Sequence, residues 1–190
     1  MIKITLLLNR RHRLATTNTA TLQPNLNYYS MIKEVSGDIL LSKAQAIAHG
    51  VAPHDHFDNG LALSLRQDFP AMVKDFRHWC HQTNPAPGGA WIWSGAEGKR
   101  IISLLTQEPA SGHNGHPSAA TLHNVGHSLR ELKKIIQKED IKSIAIPRLA
   151  TGVGGLKWED VKQLIHSNLD ETNAVIYLYT TFVKGQEAAE

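Results

Sequence analysis

Cysteine occurs once in the 190 residues, at Cys80. A single thiol cannot close an intramolecular disulfide, which points away from disulfide-stapled scaffolds and toward a reducing, cytoplasmic setting. No apolar run approaches the ~18–20 residues that a membrane-spanning helix needs, so no membrane partner is expected. The N-terminal stretch ITLLL is too short for a signal-peptide core, and its charges (NRRHR) come after it instead of preceding it. Acidic residues are lacking from positions 1–30, which hold Lys3, Arg10, Arg11 and Arg13. The net charge of +3 therefore sits in that segment, since the remaining residues set 16 of the 20 basic side chains against all 17 acidic ones. A near-neutral body removes the main electrostatic argument for binding a nucleic-acid backbone. Internal repeats and low-complexity linkers are also missing from residues 31–190, so one domain is expected there.

Residues 1–30 differ in character from the rest of the chain. Their Thr/Asn-rich second half has no periodicity and reads as poorly ordered. The tripeptide MIK recurs at Met31, directly before a plausible first strand. The expectation is a flexible extension over 1–30, a folded unit over 31–183 and a loose tail over 184–190.

From Met31 onward, apolar runs alternate with helical patterns. MIKEV and AQAIAHGV read as strands; GLALSLRQDF and AMVKDFRHWCHQ read as helices that meet at Pro70, a residue suited to a first helical turn. AWIWSG and RIISLLTQ bracket the turn-like AEGK and form a strand pair. Leu122, Val125, Leu129, Leu132, Ile135 and Ile136 recur at helical spacing, with Ser118 as the expected N-cap and GHNGHP (Gly112 to Pro117) as a preceding turn. SIAIPRL is a buried-type strand. A helix through Trp158, Val161, Leu164 and Ile165 comes next, with Glu159 and Asp160 where the helix dipole favours acid, and AVIYLYTTF closes the series. The order β-β-α-α-β-β-α-β-α-β predicts a mixed, largely parallel sheet covered on both faces, a three-layer α/β/α fold.

The segment IPRLATGVGGLKWEDV, Ile146 to Val161, carries the strongest functional signal. A strand that runs through Thr151-Gly152-Val153-Gly154-Gly155-Leu156 into a helix is the geometry that cradles an anion on loop amides and a helix N-terminus. It fits neither G-x-G-x-x-G nor the P-loop pattern, so neither of those chemistries is indicated. GDIL comes after the first strand, and AHGVAPHDHFDNGLALSLR after the second. These polar loops would share the carboxyl edge of the sheet with the glycine loop. By spacing alone, Asp38 reads either as a cap of the following turn or as an acceptor for an exocyclic amine.

Together GDIL, AHGVAPHDHFDNGLALSLRQDF and IPRLATGVGGLKWEDV resemble the macrodomain family of ADP-ribose-binding modules, over about Met31 to Phe182. The pattern is most similar to the branch of terminal ADP-ribose glycohydrolases and a chromatin-remodeller macrodomain. The Asn-rich segment of the other branch is replaced here by His49-Gly50-Val51-Ala52. The resemblance implies that Asp38 and Ile39 read adenine and that Tyr179 or Phe182 stacks on it. It implies that Thr151, Gly152, Val153, Gly154, Gly155 and Leu156 wrap the pyrophosphate and that the loop from Val51 to Gly60 borders the distal ribose, with His49, Asn59, Gly60 and Gln107 completing the ligand-binding set. No cofactor is implied. The partner would be ADP-ribose or an ADP-ribosylated substrate, with nucleic acid only as the modified acceptor.

Catalysis is where the sequence departs from that branch. Its lysine position falls on Gln107 and its aspartate position on Gly154, neither of which can do the same chemistry. The loop PHDHFDN supplies an alternative set, His54, His56, Asp58 and Asn59, for activating water at the anomeric carbon. The expected function is ADP-ribose binding with hydrolysis of ADP-ribosyl or O-acyl-ADP-ribose esters; a non-catalytic reader, or a binder of another phosphate-bearing nucleotide, is the alternative. His54-x-His56 and His78-x-Cys80-His81 lack the four-ligand spacing of a structural zinc site, and no metal is expected. Cys80 reads as a buried thiol, and Trp91 and Trp93 as core.

Overall fold

The computed structural model describes residues 31–96, 98–110 and 119–190. The expected N-terminal extension, the Gly112–Pro117 turn and Ser118 lie outside them.

Among the described residues, six strands and four α-helices succeed one another in the expected order. They are β1 (Ile32–Gly37), β2 (Ala46–Val51), α1 (Gly60–Asp68), α2 (Pro70–Thr83), β3 (Ala90–Ser94), β4 (Arg100–Leu105), α3 (Leu122–Lys138), β5 (Ser143–Pro147), α4 (Trp158–Leu169) and β6 (Val175–Phe182). One six-stranded sheet is ordered β1-β6-β5-β2-β4-β3. All neighbours pair in parallel except β3 and β4. That exception arises from the short turn between them, since parallel neighbours need a crossover.

Strand alternation builds the three layers. Ile101 and Leu105 of β4 join Val51, Phe57, Leu65, Met72 and Phe76 beneath α1 and α2. Ile102 and Leu104, on the opposite face, join Leu129, Leu132, Val161 and Ile165 beneath α3 and α4. The central strands are buried on both faces, which is why AIAHGV and RIISLL read as near-continuous apolar runs.

Local signals explain most element ends. Pro70 occupies the first turn of α2, where its missing N–H costs nothing. The cap of α3 is Thr121, not Ser118: its hydroxyl accepts from the Asn124 amide at 3.1 Å. Either residue has the right chemistry, and the winner is the one three residues before a free helical amide. Trp91 and Trp93 are half-buried against the α2 layer rather than enclosed. Trp91 stacks on Trp79 at 5.8 Å, and the Trp93 indole donates to Asp75 at 2.9 Å.

The C-terminal tail departs from the expectation of a loose segment. The Asp38 amide donates to the Gln186 carbonyl at 2.7 Å, and the Glu190 carboxylate accepts from the Tyr179 hydroxyl at 2.8 Å. Sequence composition does not reveal such docking, because the contact with Asp38 joins segments 147 positions apart.

Candidate functional site

Two adjoining cavities open along the carboxyl edge of the parallel strands. The first, about 570 Å³, is bordered by Asp38, Ile39, Tyr179, Phe182 and Lys184. The second, about 490 Å³, is bordered by His49, His56, Asp58, Asn59, Thr106, Gln107 and the segment Gly152–Gly154. Gly60, Leu61, Pro147 and Arg148 line both, so the two form one cleft divided by the start of α1 and the end of β5.

In the first cavity Asp38 directly follows β1, with its carboxylate bound on both oxygens. One oxygen accepts from the Leu40 amide at 3.2 Å, capping the short helical turn Ile39–Leu41, and the other accepts from the Gly185 amide at 3.0 Å. Each oxygen retains a second acceptor lone pair. Both readings of Asp38 are therefore compatible, turn cap and acceptor for an amine. Phe182 is 69% exposed, whereas Tyr179 is buried with its hydroxyl engaged by Glu190. Burial and that carboxylate both push the Tyr179 phenol above its ordinary range.

In the second cavity the glycine loop turns its amides in two directions. Gly155 N–H bonds to the Gly152 carbonyl and Leu156 N–H to the Ala150 carbonyl, each at 3.0 Å. These bonds close the loop on itself with Ala150 and Gly155 at positive φ, 56° and 71°. Thr151 directs its hydroxyl to the Arg148 carbonyl. The amides of Gly152, Val153 and Gly154 have no protein partner among the described residues and border the cavity. Of the expected Thr151–Leu156 span, Gly152, Val153 and Gly154 border the cavity. The N-terminus of α1, with Asn59 at its cap and no side-chain cap bond, faces the same space. Loop amides and helix end together form an anion cradle.

The loop between β2 and α1 separates the candidates that sequence had grouped. His54, at φ 58°, packs its ring edge-on against His81 of α2 and does not border the cavity. Asp55 accepts from the Phe57 and Ala52 amides at 2.7 and 3.2 Å, so it clamps the loop. Asp58 pairs with Arg66, which also donates to the His56 carbonyl. His56, Asp58 and Asn59 border the cavity. Phe57, fully buried and also at positive φ, anchors the loop edge-to-face on Phe76 at 5.1 Å. Cys80 is buried, and burial pushes its thiol pKa up, which agrees with an inert residue.

His49 is 2% exposed; Ser103 Oγ lies 3.1 Å from Nε2, and Nδ1 has no partner among the described residues. Burial drops its pKa to about 3, which keeps the ring neutral. Thr106 Oγ1 is the other buried unpaired polar atom bordering this cavity among the described residues. Thr106 and Arg148 are among the cleft-lining residues that escaped the sequence reading. The guanidinium of Arg148 stacks over Trp158 at 5.2 Å and faces both cavities. The pair lies within IPRLATGVGGLKW, and the spacing of a cation and an aromatic across a glycine loop was the signal available for it.

A three-layer α/β module with two adjoining cavities at the carboxyl edge of its parallel strands has the geometry in which open α/β sheets place their ligands. The chain belongs to the Macro domain family, whose model matches residues 42–165. It is 30% identical over 153 residues to the DNA ADP-ribosyl glycohydrolase of Mycobacterium tuberculosis, a match covering 77% of this chain and 42% of that protein. It is 24% identical over 152 residues to the human ADP-ribose glycohydrolase OARD1, covering 80% of this chain and 92% of the relative. Among solved structures, the macrodomain of Thermus aquaticus DarG superposes with a TM-score of 0.69 at 25% identity, covering 78% of this chain and 97% of that one. The chain thus spans less than half the length of the bacterial glycohydrolases it matches. Among the described residues no helix is long and apolar enough to cross a membrane.

Proposed function

We propose that the cleft binds ADP-ribose, free or as a terminal modification, with adenine in the Asp38 cavity and the pyrophosphate on Gly152–Gly154. The observation that carries this reading is the continuity of the two cavities through the wall of Gly60, Leu61, Pro147 and Arg148. A base and two phosphates linked by a ribose need a pocket, a cradle and a short bridge between them. Family membership and the names of the relatives, two kinds of ADP-ribose glycohydrolase and an ADP-ribose 1''-phosphate phosphatase, support it. Calorimetric titration with ADP-ribose, AMP and NAD is the direct test. ADP-ribose should bind most tightly, and Asp38→Ala should weaken it at least tenfold, the scale of one hydrogen bond to a charged group. Equal affinity for ADP-ribose and AMP would defeat the reading.

The enzymatic part of the proposal is hydrolysis at the distal ribose. Water adds to the anomeric carbon, the bond to the acceptor breaks, and the water's proton passes through a side chain to the leaving group. Of the four loop candidates, His56 is favoured as that side chain. It borders the cavity without an ion pair among the described residues, whereas Asp58 is held by Arg66 and His54 faces His81. Asn59 would orient the ribose. His56→Ala should then lower turnover of an ADP-ribosylated substrate by about 10²-fold or more with ADP-ribose affinity changed little. Unchanged turnover would remove His56, and no turnover by the parent chain would favour the non-catalytic reader. The cytoplasm is the setting proposed, with 1–30 as an extension to a folded unit that begins near Met31. Nucleic acid enters only as a modified acceptor.

A further inference from the structure

The C-terminal segment returns to the first cavity and fastens there at several points. Gly185 N–H donates to Asp38 Oδ2 at 3.0 Å, and Asp38 N–H donates to the Gln186 carbonyl at 2.7 Å. Further along, the Glu190 carboxylate accepts from Ser42 Oγ at 2.5 Å, from the Lys43 amide at 2.8 Å and from the Tyr179 hydroxyl at 2.8 Å. Lys43 pairs with Glu187 at 2.6 Å, and Ala188 packs on the cluster that contains Val35, Ile39 and Tyr179. Space for this course depends on Gly37. A Cβ there would lie 2.8 Å from the Gln186 carbonyl and 2.9 Å from the Ala188 amide.

From these contacts we infer that residues 185–190 are a positioning strap for base recognition. The inference rests on the ADP-ribose reading of the cleft and adds a specificity element to it. Asp38 stands at the end of an outer strand, where its carboxylate would rotate about two side-chain bonds. The cap on Leu40 fixes one oxygen; the strap fixes the other and also holds the residue's own amide. The carboxylate is therefore set before a ligand arrives, so that binding does not have to immobilise it. Glu190 sustains this indirectly, because its three bonds hold the far end of the strap against the aromatic Tyr179. The strap bonds to Asp38, Ser42, Lys43 and Tyr179, and none of these bonds involves the Gly152–Gly154 loop, so its influence should be confined to the base.

That confinement gives a test. Affinity is measured by calorimetry for ADP-ribose and for its hypoxanthine analogue, which has a carbonyl in place of the exocyclic amine. The proteins compared are the full chain, a chain ending at Lys184, and Glu190→Ala, with thermal unfolding recorded for each. The full chain should prefer ADP-ribose. Truncation should reduce ADP-ribose affinity roughly three- to tenfold, the scale of immobilising one side chain, while the analogue's affinity holds, so that discrimination collapses. Glu190→Ala should move the same ratio in the same direction and by less, with the fold retained. Equal weakening of both ligands, or unchanged discrimination, would overturn the strap. A full chain that does not bind ADP-ribose at all would instead fail at the ligand assignment, and the strap would fall with it.

Discussion

Gly154→Asp, which puts a carboxylate where the sequence resemblance expects an aspartate, is expected to destabilise the protein and to abolish high-affinity binding without raising turnover. A Cβ at position 154 would lie 2.5 Å from the Ala150 carbonyl oxygen and 2.9 Å from the Cβ of Ala120. The first of these neighbours is backbone, so no side-chain rotation relieves the contact. The loop would have to open, breaking the Leu156–Ala150 and Ala120–Gly154 hydrogen bonds. Overpacking of this kind costs about 1–3 kcal/mol, which lowers the melting temperature of a chain this size by roughly 2–12 °C. The amides of Gly152–Gly154 would move with the loop, and ADP-ribose affinity should fall by about 10²-fold or more, as expected when several charge-assisted bonds are lost together. Adding Gln107→Lys should not rescue either property. Thermal unfolding and calorimetry on the single and double variants decide the matter. An unshifted melting temperature with retained binding would mean that the loop accommodates a side chain, and the departure from the relatives' pattern would then be a matter of chemistry alone.

Acid should unfold the protein partly through His49. Its folded pKa is about 3 because burial disfavours the charged ring, while in the unfolded chain it returns to about 6.5. Between those values the unfolded state binds a proton that the native state does not. Stability contributed by the neutral ring is therefore complete above about pH 6.5 and is lost as the pH falls toward 3, at up to ~1.4 kcal/mol per pH unit. Carboxylates titrate over part of the same window, so the group is isolated by difference. In His49→Asn, denaturant unfolding measured from pH 7 to pH 4 should show a shallower decline than the parent chain. The variant will also lose the ring's contact with Phe57, 5.7 Å between centroids, which lowers stability at every pH and leaves the slope as the diagnostic. Parallel declines in the two proteins would show that His49 is proton-accessible in the folded state.

Legibility differed between the elements and the site. Helix and strand order could be read because each element has a strong local signal. Examples are the period of α3 from Leu122 to Ile136, Pro70 opening α2, and the apolar runs of β2, β4 and β5. The glycine loop at the cleft was legible for a related reason: three glycines between a strand and a helix constrain the backbone directly. The loop after β2 was not legible at the same level. His54, Asp55, His56 and Asp58 are near neighbours in sequence, yet His54 faces α2, while of the three that border the cleft Asp55 clamps the loop and Asp58 is held by Arg66. Residue type cannot separate them, because positive φ at His54 and Phe57 turns successive side chains in unrelated directions.

The sequence by itself determined the layered α/β architecture, the glycine loop between a strand and a helix, and the membership in the Macro domain family. All of these rest on backbone preference, hydrophobic period or residue identity, which are properties of local sequence. Tertiary structure alone decided that Arg148 spans both cavities, that His49 is buried and neutral, that Gly154 has no room for a side chain, and that the tail returns to hold Asp38. Each of those depends on the solvent exclusion and close contacts created when segments far apart in the chain are packed together.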